Sequence, residues 1–168
     1  MTAERRAEME TREWFCEKIE ENKYGMYRAA LSILRSPEDA QDAQSEAICA
    51  AWEKLDTLRD RDKFKPWIMR ILQNECYKLC RERKNTVSLL DDIPSSEGER
   101  TDLPLWQAVT SLPKDIRLPV VLFYYDGMSI REISAATGLT AAAVKTRLCR
   151  ARKKLREKLT ERSNEDEQ

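Results

Sequence analysis

Between Ala40 and Leu55 the apolar residues fall at Ala40, Ala43, Ala47, Ile48, Ala51, Trp52 and Leu55. That three-and-four spacing lines one face of an α-helix and no face of a strand. The stretch opens on Ser36-Pro37-Glu38-Asp39. Ser36 can cap the first free amides, Pro37 suits the first helical position, and two acids face the positive end of the helix dipole. A second helix is expected from about Phe64 to Arg83, with Phe64, Trp67, Ile68, Ile71, Leu72, Cys76 and Leu79 inward. Pro66 is tolerable only in its first turn. Only 4 Gly and 6 Pro punctuate 168 residues. The expected fold class is therefore all-α, in two small helical domains.

Residues 1–13 read as a charged, mobile lead-in, and 14–34 as a helix carrying Trp14, Phe15, Ile19, Met26, Tyr27 and Leu31. Its spacing falters at Asn22–Gly25, where a late start or break is expected. The domains are drawn as a lead-in at 1–23, a first bundle at 24–84, a flexible linker at 85–102, a second bundle at 103–160 and a charged tail at 161–168. The linker contains Ser, Pro, Gly and acidic residues. In the second bundle, Pro119 should kink or shift the helix that carries Ile116, Val120 and Val121. Ser129 and Glu132 form a capping box, Gly138 ends the helix it opens, and Thr140 caps the last helix.

The net charge of zero conceals a segregation. Residues 35–60 hold three basic and seven acidic side chains. Residues 61–84 hold eight and three, and residues 131–159 nine and two. A solvated helix face would explain either basic block alone. Two such blocks, each beside a helical motif, favour nucleic acid, whose phosphates demand local cations. The chain has no His, so the commonest general base is missing, and no Gly-rich phosphate loop or clustered carboxylates argue for an enzyme. The cysteines, Cys16, Cys49, Cys76, Cys80 and Cys149, read as reduced thiols. No metal or cofactor is expected. No apolar run suits a signal peptide or membrane span, so a soluble, cytoplasmic protein without membrane insertion is expected.

Ser129 to Leu155 has the layout of a helix-turn-helix. Ile130, Ile133 and Ala136 face inward on the first helix, Val144, Leu148, Ala151 and Leu155 on the second, with Gly138-Leu139 in the turn. The second helix would present Thr140, Ala141, Ala142, Lys145, Thr146, Arg147 and Arg150 to a major groove, with Lys153 and Lys154 near phosphates.

The run from Gly127 through Gly138-Leu139-Thr140 to Val144–Leu155 resembles the −35-binding region 4 of bacterial sigma factors. Ser36-Pro37-Glu38-Asp39-Ala40, Asp42, Glu46, Ala51-Trp52, Phe64, Trp67-Ile68, Arg70-Ile71 and Asn74 are similar to region 2 of the extracytoplasmic-function (ECF) group. The resemblance implies a transcription initiation factor, not an enzyme. It would bind core RNA polymerase and promoter DNA and be restrained by an anti-sigma factor. Asp39, Gln41, Asp42, Ser45 and Glu46 would meet polymerase. The loop Asp60, Arg61, Asp62, Lys63, then Phe64, Trp67, Arg70, Asn74 and Lys78, would engage the −10 element and help to melt it. Phe64 and Trp67 are open between core and base-stacking roles. The alternative is a free-standing helix-turn-helix regulator, which would grip an operator unaided and whose dimer face should be more apolar than the acidic helix 38–55.

Overall fold

The computed structural model describes residues 2–84 and 103–166, and the expected linker at 85–102 lies outside them. The described residues are helical: α1 (Ala3–Leu34), α2 (Pro37–Glu53), α3 (Phe64–Lys84), α4 (Leu103–Thr110), α5 (Lys114–Val120), α6 (Ile130–Thr137) and α7 (Ala141–Asp166). Short 3-10 turns at Leu55–Thr57 and Arg61–Lys63 join α2 to α3. The two helical domains, α1–α3 and α4–α7, flank the undescribed residues.

The expected lead-in is not a separate segment. α1 runs unbroken for 32 residues, and the Thr2 hydroxyl accepts from the Arg5 amide at 3.4 Å. Its N-terminal half has no apolar stripe, yet Ala, Glu, Arg and Met are all strong helix formers. No break occurs at Gly25, which is buried mid-helix. Similarly, α7 continues through the expected charged tail to Asp166.

Local signals elsewhere act as expected. The Ser36 hydroxyl accepts from Asp39 N at 3.3 Å with Pro37 opening α2. Pro66 sits in the first turn of α3. Pro119 shortens α5, and the chain continues as a single wider π turn, Val121–Tyr125, in which Asp126 N reaches Val121 O at 3.2 Å.

α1, α2 and α3 form one bundle around Met26, Ala30, Ala43, Ala47, Ile68 and Leu72. The alanines let α2 lie close against its neighbours, and Phe64 closes one end among Trp14 and Phe15 at centroid distances of 5.5 and 6.0 Å. α5, α6 and α7 enclose Ile116, Val121, Ile133, Val144 and Leu148. The two bundles share one apolar cluster: α6 packs on α3, and α5 on α1. Arg117 spans this junction at 5% exposure. Its Nε donates to Leu112 O at 3.1 Å and a terminal nitrogen to Ser32 O at 2.8 Å, a carbonyl in the last turn of α1. Burial, with Arg35 nearby, lowers its pKa to about 10, so it stays charged at neutral pH.

Candidate nucleic-acid interface

The helix-turn-helix is built by local chemistry. Ser129 Oγ accepts from Glu132 N at 3.2 Å while the Glu132 carboxylate accepts from Ser129 N at 2.8 Å. Gly138 ends α6 at φ 74°, a left-handed conformation that glycine adopts without penalty. Thr137 Oγ1 then accepts from Leu139 N at 3.3 Å, and Thr140 Oγ1 from Ala143 N at 3.1 Å, which starts α7. Val144, Leu148 and Ala151 are buried against α6 and α5. That fixes which side of α7 faces outward.

On that outer side Thr140, Ala141, Ala142, Lys145, Thr146, Arg150 and Lys153 are exposed, and Lys154 is half-buried. The Thr146 hydroxyl turns back to donate to Ala142 O at 3.0 Å. Arg147 is half-buried and donates to Asp115 O at 2.9 Å. Arg150 pairs with the Asp115 carboxylate at 3.2 Å, both groups about half-exposed. Lys145 and Lys153 are therefore well placed for phosphates, whereas Arg147 also has work within the fold.

At the other surface, Asp60 Oδ1 accepts from Asp62 N at 3.0 Å, shaping the loop, and Lys63 lies 3.8 Å from Asp60. Arg61 stacks on Trp14 at 4.5 Å from the ring centroid. Phe64 is 2% exposed and is core, so the stacking role open to it from sequence gives way to a packing one. Trp67 is half-buried, with Nε1 donating to Thr57 Oγ1 at 3.2 Å and its ring 5.7 Å from Phe64. Arg70, Asn74 and Lys78, four residues apart, make one exposed line along α3.

Along α2, Gln41, Asp42, Ser45 and Glu46 form one polar, largely exposed face. Asp39 is not among them: it is 6% exposed and paired with Arg83 of α3, so its carboxylate is committed within the bundle. Trp52, expected inside, is 45% exposed, with one edge against Phe15 at 5.2 Å. The residues that sequence reasoning passes over are Arg28, Arg117 and Asp126. All three act between the bundles, and the one available signal is a glycine placed inside a helix at position 25.

Residues 19–86 match the Sigma-70 region 2 family, and residues 102–155 the Sigma-70 region 4 family. The RNA polymerase sigma factor SigV of Bacillus subtilis is 30% identical over 148 residues, spanning 84% of this chain and 89% of that protein. The chain belongs to the ECF group of the sigma-70 family. NccH of Alcaligenes xylosoxydans, also an RNA polymerase sigma factor, is 30% identical over 84% of each chain. Among solved structures, CnrH in complex with the cytosolic domain of CnrY is 28% identical over 87% of both chains with a TM-score of 0.64. RpoE from Bartonella quintana, in complex with the anti-sigma factor NepR, superposes with a TM-score of 0.73 at 24% identity, covering 87% of this chain and 96% of that one. That likeness concerns the fold. This sigma factor directs RNA polymerase to promoters and is not itself an enzyme. Its partners are core polymerase and promoter DNA. Among the described residues, no helix is long and apolar enough to cross a membrane.

Proposed function

We propose that α2 docks on core polymerase through Gln41, Asp42, Ser45 and Glu46, whose polar and acidic groups suit a basic surface. The 60–63 loop, Trp67 and the line Arg70, Asn74, Lys78 engage the −10 element and its melted strand. The outer side of α7, centred on Ala142, Lys145, Thr146 and Arg150, enters the major groove at the −35 element. Lys153 and Lys154 fix its register on phosphates. An anti-sigma factor restrains the protein in the cytoplasm by covering surfaces that polymerase needs.

The observation that carries this reading is the separation of surfaces by chemistry. One exposed acidic face and two exposed basic faces lie on different helices, α2, α3 and α7. A run-off transcription assay with purified core polymerase and a genomic promoter library tests it. Transcripts starting at discrete sites only when the protein is added are expected. Failure to associate with core polymerase, together with tight unaided binding to a defined operator, would instead identify a free-standing regulator.

A further inference from the structure

Asp115 stands in the first turn of α5 and meets α7 twice. Its backbone carbonyl accepts from Arg147 at 2.9 Å, and its carboxylate accepts from one terminal nitrogen of Arg150 at 3.2 Å. Arg147 and Arg150 lie three positions apart, so one residue of α5 holds two neighbours on the same flank of α7. The first contact fixes α7 against α5. The second is of another kind.

The Arg150 and Asp115 side chains are 53% and 46% exposed. A pair so well solvated adds little to the stability of the fold. What it changes is where a long side chain points. Among the described residues, Arg150 is the one cation of α7 that pairs with a carboxylate. Lys145, Lys153 and Lys154 have no such partner there.

The difference matters in a major groove. An uncommitted cation is drawn to phosphates, which carry charge but no sequence. Guanine O6 and N7 are uncharged acceptors, and an arginine meets them with two donors held in one plane. A carboxylate beside the guanidinium opposes the approach of a phosphate to it. Nε and the other terminal nitrogen of Arg150 make no hydrogen bond among the described residues, so they remain for a base edge. Because the side chain is already held, less rotamer freedom is lost when DNA binds.

We propose that Asp115 determines specificity at the −35 element by aiming Arg150 at a base edge and denying it to the phosphate backbone. It is a positioning residue, acting through Arg150. α7 enters the major groove in the proposed function, on which this inference rests.

The test uses core polymerase reconstituted with the full-length protein, as wild type or carrying Asp115→Ala, Asp115→Glu, Arg150→Ala or both alanines. Each holoenzyme is offered promoter fragments with a fixed −10 element and a randomised −35 element, and the bound fragments are sequenced. Wild type should prefer G·C at one position of the −35 element by roughly five-fold or more, and Arg150→Ala should erase that preference alone. Asp115→Ala should reduce the same preference several-fold, while affinity for fragments with another pair there holds or rises. Its slope of log affinity against log salt should steepen by about 0.9, as the released arginine gains a phosphate. Asp115→Glu keeps a carboxylate and should restore part of the preference. Once Arg150 is alanine, Asp115→Ala should alter neither preference nor slope.

A purely structural role would instead weaken binding to every fragment alike and leave the slope unchanged, which would overturn the proposal. So would an undiminished preference in Asp115→Ala, or the lack of any base preference that depends on Arg150. Failure of the wild-type holoenzyme to initiate at any discrete site would sink the promoter reading itself, and this inference with it.

Discussion

Arg147 donates a 2.9 Å hydrogen bond to the backbone carbonyl of Asp115. Four residues after Asp115 comes Pro119, which has no N–H to give that carbonyl. The recognition helix therefore supplies the donor that the proline removes from α5. Sequence alone makes the same arginine a base or phosphate contact. Its position ties the orientation of α7 to the irregular end of α5.

Arg147→Ala should accordingly cost fold stability as well as promoter binding, by about 1 kcal/mol, the worth of an ordinary hydrogen bond on a half-buried group. With Pro119→Ala the helix regains its own donor, and the arginine substitution should then cost less. Urea unfolding of the two single variants and the double variant measures this coupling. An equal cost in both backgrounds would show that Arg147 does not compensate for the proline.

Lys145 and Lys153 are exposed on the outer side of α7. Replacing either with alanine should weaken holoenzyme binding to a promoter fragment. The slope of log affinity against log salt should also become shallower by roughly 0.9 for each phosphate contact removed. A loss of affinity with no change in slope would mean that the lysine meets something other than the backbone.

Burial pushes the Asp126 carboxyl above its ordinary value, more than Arg28 and Lys65 pull it down. The folded protein thus binds this proton more tightly than the unfolded chain does. Its contribution opposes folding at neutral pH and is relieved as pH falls toward the ordinary carboxylate value of about 3.9. Asp126→Asn should remove this dependence, so wild type should gain stability relative to the variant in urea melts as pH is lowered from 7. A parallel pair of pH curves would contradict the assignment.

Cys76 is fully buried, and burial, with smaller effects from Cys80 and Glu75, pushes its thiol up to about 12. At pH 8 only about one such thiol in 10,000 is thiolate, the reactive form. Iodoacetamide should label the exposed Cys16, Cys49 and Cys149 of the native protein and reach Cys76 only in denaturant. Mass spectrometry of the peptides reads this directly, and prompt native labelling of Cys76 would mean that α3 opens readily.

Features set within a few residues are legible in the sequence. Ser36, Ser129, Gly138 and Thr140 begin and end their helices where local capping chemistry puts them. The N-terminal half of α1 is not, because helix propensity without an apolar stripe resembles disorder. The buried place of Asp39 is hidden too, because its partner, Arg83, lies on another helix. Trp52 remains 45% exposed among the described residues. The roles of Arg28, Arg117 and Asp126 depend on two bundles meeting across a segment whose length and composition set no geometry. Periodicity carries no such information.

Gly25 in one bundle and Asp126 in the other compete for the same few cubic ångströms. In descendants of this gene, the two codons are not free to drift apart. Any side chain at 25 demands a shorter or relocated one at 126, and a glycine or alanine at 126 removes the reason to keep glycine at 25. Their joint history across related genomes should be that of one inherited trait.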